Sequence, residues 1–443
     1  MSGVDLYLEV DRSAGLRAGV ERALRDAIRS GTLPSGTRLP SSRALAADLG
    51  IARNTVAEVY TQLVHEGYLS GDRGGGTRIA VKAVAESRPE PAGEPPVVHD
   101  LRPGRPDVSL FPVSAWAAAG RRVLNTTPAE ALGYGDPRGP ERARGVIAAY
   151  LARVRGVQAG PERIVLCSGY RQAVALLTRV LAERGARSVA VERPGIPAVA
   201  EQVRRAGLAT VPVPVDSDGA VIDGLAADAV VLTPAHQFPI GVPLAARRRA
   251  EVLAWARRTG GVILEDDYDG EFRYDRQPIG SLQGLAPDVV AYAGSASKTL
   301  APGLRLAWLV VPEHLLADVV REKELTDRHA DNLTQLTLAT MIESGGYDRH
   351  VRAARLRYRR RRDDLTRAIG RPAGIAAGLH AVIWLPGDDE QTTLRRLAAN
   401  GVATHGMSRY SDGLEMPPAV VIGYGAPAQH AWPLALKALT EVI

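Results

Sequence analysis

The chain has 443 residues, of which 45% are apolar and 23% charged, so it is long enough for two or three domains with a large core. A single cysteine excludes an intrachain disulfide framework and fits a reducing cytosol. With no charged-then-apolar leader and no apolar run near the ~20 residues that span a bilayer, a soluble, cytoplasmic protein with no membrane partner is expected, and the net charge of +6 suits a polyanionic partner without demanding one.

The first elements in chain order read as a helix-turn-helix. Leu16, Val20, Leu24, Ala27 and Ile28 share one helical face, and Ser30-Gly31 stops the pattern. Ser41 or Ser42 can cap a short second helix that ends at Gly50. The next segment opens with polar residues and then buries Val56, Val59, Tyr60 and Leu63. A recognition helix presents its N-terminal residues to base edges and phosphates, which puts Arg53, Asn54 and Thr55 in the reading position for double-stranded DNA. Segments 67–70 and 77–80 read as strands around Asp72-Arg73-Gly74-Gly75-Gly76, a basic wing in which Arg73 and Gly75 can approach a groove or backbone. Residues 1–82 hold 11 Lys plus Arg against 9 Asp plus Glu, so any basic footprint is local. Residues 83–98, rich in Pro, Glu and Gly, read as an extended linker between domains at 1–82 and 99–443.

In the second part, Val165-Leu166-Cys167 is a short apolar strand followed by Ser168-Gly169 and then apolar residues at helical spacing. A glycine turn into a helix N-terminus is an anion cradle, because free N–H groups and the macrodipole favour negative charge; Gly169, Tyr170 and Arg171 are its residues. Cys167, inside the strand, reads as a buried inert thiol. Gly261 to Asp269 is an apolar run that turns abruptly acidic, as a buried parallel strand does when it delivers side chains at its carboxyl end. Strand alternation puts Asp266 and Tyr268 on one face and Glu265 and Asp267 on the other. A carboxylate can keep a pyridine nitrogen protonated, and a phenol can hydrogen-bond the oxygen beside it.

Gly294 to Arg305 then sets Lys298 between small hydroxyl residues, with an arginine seven positions on. The amine can form a Schiff base with a carbonyl, Ser295 and Ser297 can donate to phosphate oxygens, and Arg305 can grip the same phosphate with its planar fork. Pyridoxal 5'-phosphate satisfies all these groups at once, with Lys298 as the catalytic residue, Asp266 at the ring nitrogen and Tyr268 at the ring oxygen. The dense run Arg355 to Arg362 reads as a solvated or dimer-facing helix. His236, His380 and His405 are dispersed in sequence, with no spacing that argues for a metal.

These motifs together resemble known families. Tyr134-Gly135-Asp136-Pro137-Arg138-Gly139, Ser168-Gly169-Tyr170-Arg171, Thr233 to Gly241, Glu265-Asp266-Asp267-Tyr268 and Ser295-Ala296-Ser297-Lys298 are similar, in that order, to fold-type I aminotransferases over residues 100 to 443. His236-Gln237-Phe238-Pro239 and Glu265 to Tyr274 resemble most closely the MocR regulators, a GntR subgroup that fuses such a domain to a DNA reader. The Leu-Pro-Ser-Ser-Arg, Arg-Asn-Thr-Val and Gly-Tyr-Leu wording of the first part resembles the GntR winged helix.

The resemblance implies an α+β winged helix-turn-helix joined to an α/β fold-type I aminotransferase-like domain with a smaller C-terminal α+β subdomain. It implies DNA contacts from Arg43, Arg53, Thr55 and the wing at Gly75, a head-to-tail homodimer, and Phe238 in the cofactor site. Ile196 stands where the family pattern has a ring-stacking aromatic, Ala200 where an arginine often grips a carboxylate, and Val420 to Tyr424 lacks a second such arginine. The implied function is a transcription regulator that senses pyridoxal phosphate or a small amine, with a working aminotransferase carrying a regulatory N-terminal module as the alternative. A bidentate arginine both binds and orients an amino acid, so two missing arginines weaken turnover.

Overall fold

The computed structural model describes residues 10–11, 15–72, 76–80, 97–274, 279–370, 372–387 and 389–443. The chain divides into two compact units, residues 1–93 and 94–443.

In the first unit, α1 (Leu16–Arg29), α2 (Ser42–Leu49) and α3 (Arg53–His65) precede a hairpin of β1 (Leu69–Asp72) and β2 (Gly76–Ile79). Ser41, not Ser42, caps α2 by accepting from the Ala44 amide at 3.2 Å, and Gly50 ends it in the left-handed conformation that favours glycine. Val20, Leu24 and Ile28 of α1 pack against Leu45, Val56, Val59 and Leu63 with Leu69 and Ile79, so the hairpin closes one small core. Arg73 and Gly75 of the expected wing, and residues 83–96 of the expected linker, lie outside the described residues.

The second unit is built on strands β3 (His99–Asp100), β4 (Ile164–Cys167), β5 (Ser188–Arg193), β6 (Ala209–Asp216), β7 (Gly219–Ala220), β8 (Ala229–Leu232), β9 (Val262–Asp267), β10 (Val290–Ser295), β11 (Ala307–Val310), β12 (His380–Trp384), β13 (Val402–Ala403), β14 (His405–Gly406) and β15 (Ala419–Gly423). Eight of them form one mixed sheet in the order β4-β11-β10-β9-β8-β5-β6-β7. Strands β6, β5, β8, β9 and β10 run parallel, and β11 inserts antiparallel between β10 and β4, which restores the direction of β4. The carboxyl ends of β4, β5, β8, β9 and β10 therefore share one edge. Fully buried strands such as Val262–Asp267 and Val290–Ser295 need apolar cover on both faces. Helices α6 (Tyr170–Glu183), α7 (Pro197–Arg205) and α9 (Glu313–Asp327) supply it on one face. On the other lie α4 (Val113–Thr126), α5 (Glu141–Arg155), α8 (Ala246–Thr259) and α10 (Asn332–Glu343).

The 24-residue helix α11 (Gly346–Ile369) leads into a small sheet, β12-β15-β14, which buries Ala381, Ile383, Val420 and Ile422 against Tyr358 and Leu365 of that helix. The arginine run stays in solvent only in part, with Arg359 and Arg360 exposed. Arg361 and Arg362 turn inward, and Arg361 donates to Asp107 at 2.8 Å and to the Tyr424 and Gly425 carbonyls. Helical geometry forces this: Ala354, Tyr358, Arg361, Arg362 and Leu365 fall on the one face the small sheet covers.

Candidate cofactor site and DNA-reading face

The shared strand edge collects the expected cofactor residues. Gly169 ends the turn after β4 and caps α6, with φ +142°, a conformation that only glycine adopts without strain. A Cβ built on Gly169 would stand 2.5 Å from Arg305 Nη2, so the guanidinium fills the notch that the missing side chain leaves. Arg305 itself sits in the left-handed region at φ 53°, which turns it back toward this notch. The Arg171 side chain is exposed and points away, so its part in a cradle is limited to its backbone amide at the first turn of α6.

Asp266 and Tyr268 do share a face, as strand alternation demands, while Glu265 accepts from the Leu282 and Gln283 amides and Asp267 pairs with Arg155 at 2.5 Å and Tyr292 at 2.6 Å. Asp266 is buried and makes no ion pair among the described residues. Burial pushes its carboxyl well above the usual carboxylate range, and Asp267, Asp269 and Glu192 push further, against the Tyr170 hydroxyl. That hydroxyl lies beside Asp266 without a hydrogen bond of good geometry, so its donor is unspent.

Ile196 at the start of α7 and the Phe238 ring complete the cavity that Asp266 and Tyr170 line. Glu192 lines the same cavity and was not foreseen. Its carboxylate accepts from the Thr233 hydroxyl and amide, and burial raises its pKa to about 7. Nothing local marks this glutamate, since its role depends on a neighbour 41 residues away.

Lys298 follows β10, and its Nζ donates to the Gly104 carbonyl at 2.5 Å. Burial lowers the amine's pKa from 10.5, while Asp266 and Asp269 oppose the shift. Ser295 is buried and Ser297 half-buried beside it, and among the described residues neither hydroxyl is taken up by a protein group. Tyr268 Oη donates to the His236 carbonyl at 3.0 Å and lies 3.2 Å from His236 Nδ1.

The donor set fits pyridoxal phosphate. An anion notch with a cation behind it, a buried amine whose pKa is lowered, a buried carboxyl that makes no ion pair among the described residues and an unspent phenol each match one part of that molecule. The carboxylate grips are absent. Ala200 lies in the cavity wall, Val421 is a buried residue of β15, and Arg193, the one arginine among the cavity-lining residues described, is held by Asp412. Arg409 opens on a different cavity with Arg102 and His405.

One further reading of the sequence changes, that of the histidines, and one, that of Cys167, stands. His236 and His380 are far apart along the chain, yet the fold brings them together with Asp269, all three buried and within 4.8 Å through their ligand-type atoms. Sequence spacing says nothing about such a meeting across two loops and the small sheet. Cys167 is buried, and desolvation lifts its thiol to about 12, which leaves it inert.

In the first unit Arg53 and Asn54 are exposed at the start of α3, Thr55 is half-buried, and Arg43 is exposed on α2. Arg38, which sequence reasoning passed over, is exposed beside the hairpin: a Cβ on Gly76 would stand 2.9 Å from its Nε. Its backbone bridges that of Arg78 on β2, a pairing that no local pattern in the sequence marks.

A winged helix followed by an aminotransferase fold defines a DNA reader coupled to a small-molecule domain. Residues 16–79 match the model of bacterial regulatory proteins of the gntR family, and residues 100–402 that of aminotransferase class I and II. The pyridoxine biosynthesis transcriptional regulator PdxR of Corynebacterium glutamicum is 33% identical over 435 residues, covering 95% of this chain and 94% of that one. The probable rhizopine catabolism regulatory protein MocR of Rhizobium meliloti is 30% identical, with 89% and 83% covered. Among solved structures, an archaeal alanine:glyoxylate aminotransferase superposes with a TM-score of 0.71 at 26% identity, over 77% of this chain and 90% of that chain. LysN of Thermus thermophilus, an α-aminoadipate aminotransferase solved with N-(5'-phosphopyridoxyl)-L-leucine, gives 0.70 at 23%, over 77% and 91%. The chain belongs to the MocR-type transcriptional regulators of the GntR family, which join a helix-turn-helix reader to a fold-type I aminotransferase domain.

Proposed function

We propose that residues 1–82 read operator DNA and that residues 99–443 bind pyridoxal phosphate and convert its presence, or that of a small amine, into a change in DNA binding. The observation that carries this reading is one strand edge that brings together the Gly169–Arg305 notch after β4, the buried Asp266 carboxyl at the end of β9 and the buried Lys298 amine after β10. When bound, pyridoxal phosphate supplies an electrophilic carbonyl and a ring that draws electrons once protonated.

Gly169, the amides of Tyr170 and Arg171, Ser295, Ser297 and Arg305 would hold the phosphate. Asp266 would hold the proton on the ring nitrogen, Tyr268 would face the ring oxygen, and Ile196 with Phe238 would cover the ring and exclude water. Lys298 is the catalytic residue, poised by burial to attack a carbonyl below the pH at which an exposed lysine would.

Because Arg193, the one arginine among the described residues lining this cavity, is held by Asp412 and Arg305 is given to the phosphate, the effector is pyridoxal phosphate itself or an amine without an α-carboxylate. Similarity to a regulator named for pyridoxine biosynthesis favours vitamin B6 metabolism as the target. Arg43, Arg53, Asn54, Thr55, Arg73 and Gly75 would contact the duplex, by phosphate grip and base-edge reading. The site of action is the cytoplasm, where DNA and reduced thiols coexist. A homodimer would cover the exposed apolar side chains Val108, Val113, Leu124, Leu132 and Tyr134, and the family resemblance makes it head-to-tail.

The test is spectroscopic. Purified chain titrated with pyridoxal phosphate should develop a visible band that Lys298→Ala abolishes, and incubation with amino donors and α-keto acids should give no sustained turnover above free cofactor. No band would sink the cofactor assignment, whereas steady turnover would make the protein an aminotransferase with a regulatory module.

A further inference from the structure

The cluster of His236, Asp269 and His380 is either a metal triad or a proton-handling network, and the distances decide between them. His236 Nδ1 stands 2.8 Å from Asp269 Oδ2, which is a hydrogen bond. His380 Nε2 is engaged by the Pro239 carbonyl at 3.1 Å, and its ring packs 4.9 Å from that of His236, centroid to centroid. Both rings thus already have protein partners. An ionised carboxylate only accepts, so the shared proton sits on His236 Nδ1 and the tautomer is set. The same residue takes the Tyr268 hydroxyl proton on its carbonyl at 3.0 Å and faces the phenol oxygen with Nδ1 at 3.2 Å. Gly378 closes over the pair: a Cβ there would collide with both Asp269 Oδ2 and the His236 ring.

We propose that Asp269 and His236 are positioning residues that fix the Tyr268 hydroxyl and, through it, set the acidity of the bond made at Lys298. This rests on the cofactor reading given above. The Tyr268 hydroxyl donates to the His236 carbonyl and its oxygen lies 3.2 Å from Nδ1, so this one histidine sets where the phenol oxygen stands, and Asp269 holds the ring by accepting from Nδ1. The charged groups around the network come from several elements. Asp269, Asp266, Glu192 and Tyr424 bear on Tyr268; His236, Arg362 and Lys298 bear on His380; Asp266 and Asp269 bear on Lys298. Asp269 therefore acts on the lysine directly as well as through Tyr268, so His236, which does not itself bear on the lysine, is the cleaner place to perturb.

The experiment compares two amides at position 236 in the full chain loaded with pyridoxal phosphate, reading the pH midpoint of the visible band. His236→Asn puts an amide near the Nδ1 position and can still serve Asp269, whereas His236→Gln places it near Nε2 and leaves Asp269 without its donor. His236→Gln should move the midpoint by about one pH unit, the size of one lost charge-assisted contact. His236→Asn should move it less than half as far. In a Tyr268→Phe background His236→Gln should move the midpoint less than half as far, the remainder being the direct action of Asp269 on the lysine.

An unmoved midpoint in His236→Gln, or the full shift persisting in Tyr268→Phe, would overturn the proposal while leaving the cofactor reading intact. A midpoint that responds to added zinc or to a chelator would overturn it in favour of a metal triad. The absence of any band in the unaltered chain would overturn both readings together. Circular dichroism and thermal melts of each variant separate these outcomes from unfolding.

Discussion

Gly169→Ala tests the anion notch most sharply, because two separate costs meet at one residue. The backbone there has φ +142°, a region that is essentially glycine-only, and forcing alanine into it costs about 1–3 kcal/mol. The new methyl would also stand 2.5 Å from Arg305 Nη2, so the guanidinium must withdraw. A hydrogen bond to a charged group contributes about 1.5–3 kcal/mol, so losing the arginine's contact with a phosphate should weaken pyridoxal phosphate binding roughly tenfold to a hundredfold. The control is Gly185→Ala, past the other end of the same helix, where φ is +91° and a Cβ would meet nothing. That variant should lose stability of about 1 kcal/mol and keep its cofactor affinity. The assay is titration of the visible band, with thermal unfolding of both variants in parallel. If Gly169→Ala remains folded and binds within twofold of the unaltered chain, the phosphate does not sit in this notch.

Other expectations follow from the same geometry. The Lys298 amine has its pKa lowered by burial from 10.5, so the rate of cofactor capture should rise with pH and reach its midpoint below 10.5; a midpoint at or above that value would mean the amine is solvated. Glu192, Glu265 and Glu271 are each raised by burial from 4.5 to about 7. The folded chain then binds more protons than the unfolded chain between those values, so these groups make it less stable as pH rises from 4.5 to 7. Glu192→Gln, which can still accept from Thr233, should flatten the fall in melting temperature across that window, and an unchanged slope would show that Glu192 stays ionised. Arg53→Ala should weaken DNA binding and reduce the salt slope by about one if the side chain grips a phosphate, or relax base preference if it reads a base edge; an affinity unchanged at every salt concentration would remove it from the interface.

What the sequence displayed was chemistry carried by local rules. Strand alternation separated Asp266 and Tyr268 from Glu265 and Asp267, a serine cap and a glycine stop marked α2, and the run from Lys298 to Arg305 carried the amine and the guanidinium that the fold sets after β10. Hidden from it were the meetings that depend on how loops cross. Gly104 reaches Lys298 from 194 residues away, and Arg361 reaches Asp107 from 254. The arginine run looked solvated because composition was read without the register of α11, which turns two of its members inward. The His236–Asp269 pair escaped notice because each residue alone sits among residues with more obvious roles, and only the fold sets Nδ1 against Oδ2.

The account stands on coupling between the Lys298 site and the DNA-reading face, and one binding measurement tests it directly. Affinity of the full chain for its own upstream DNA should be measured with and without pyridoxal phosphate, at fixed salt, for the unaltered protein and Lys298→Ala. The account predicts a cofactor-dependent shift in the unaltered protein that is lost in Lys298→Ala. Equal affinities in all four conditions, with the visible band present, would contradict a role for pyridoxal phosphate as the signal.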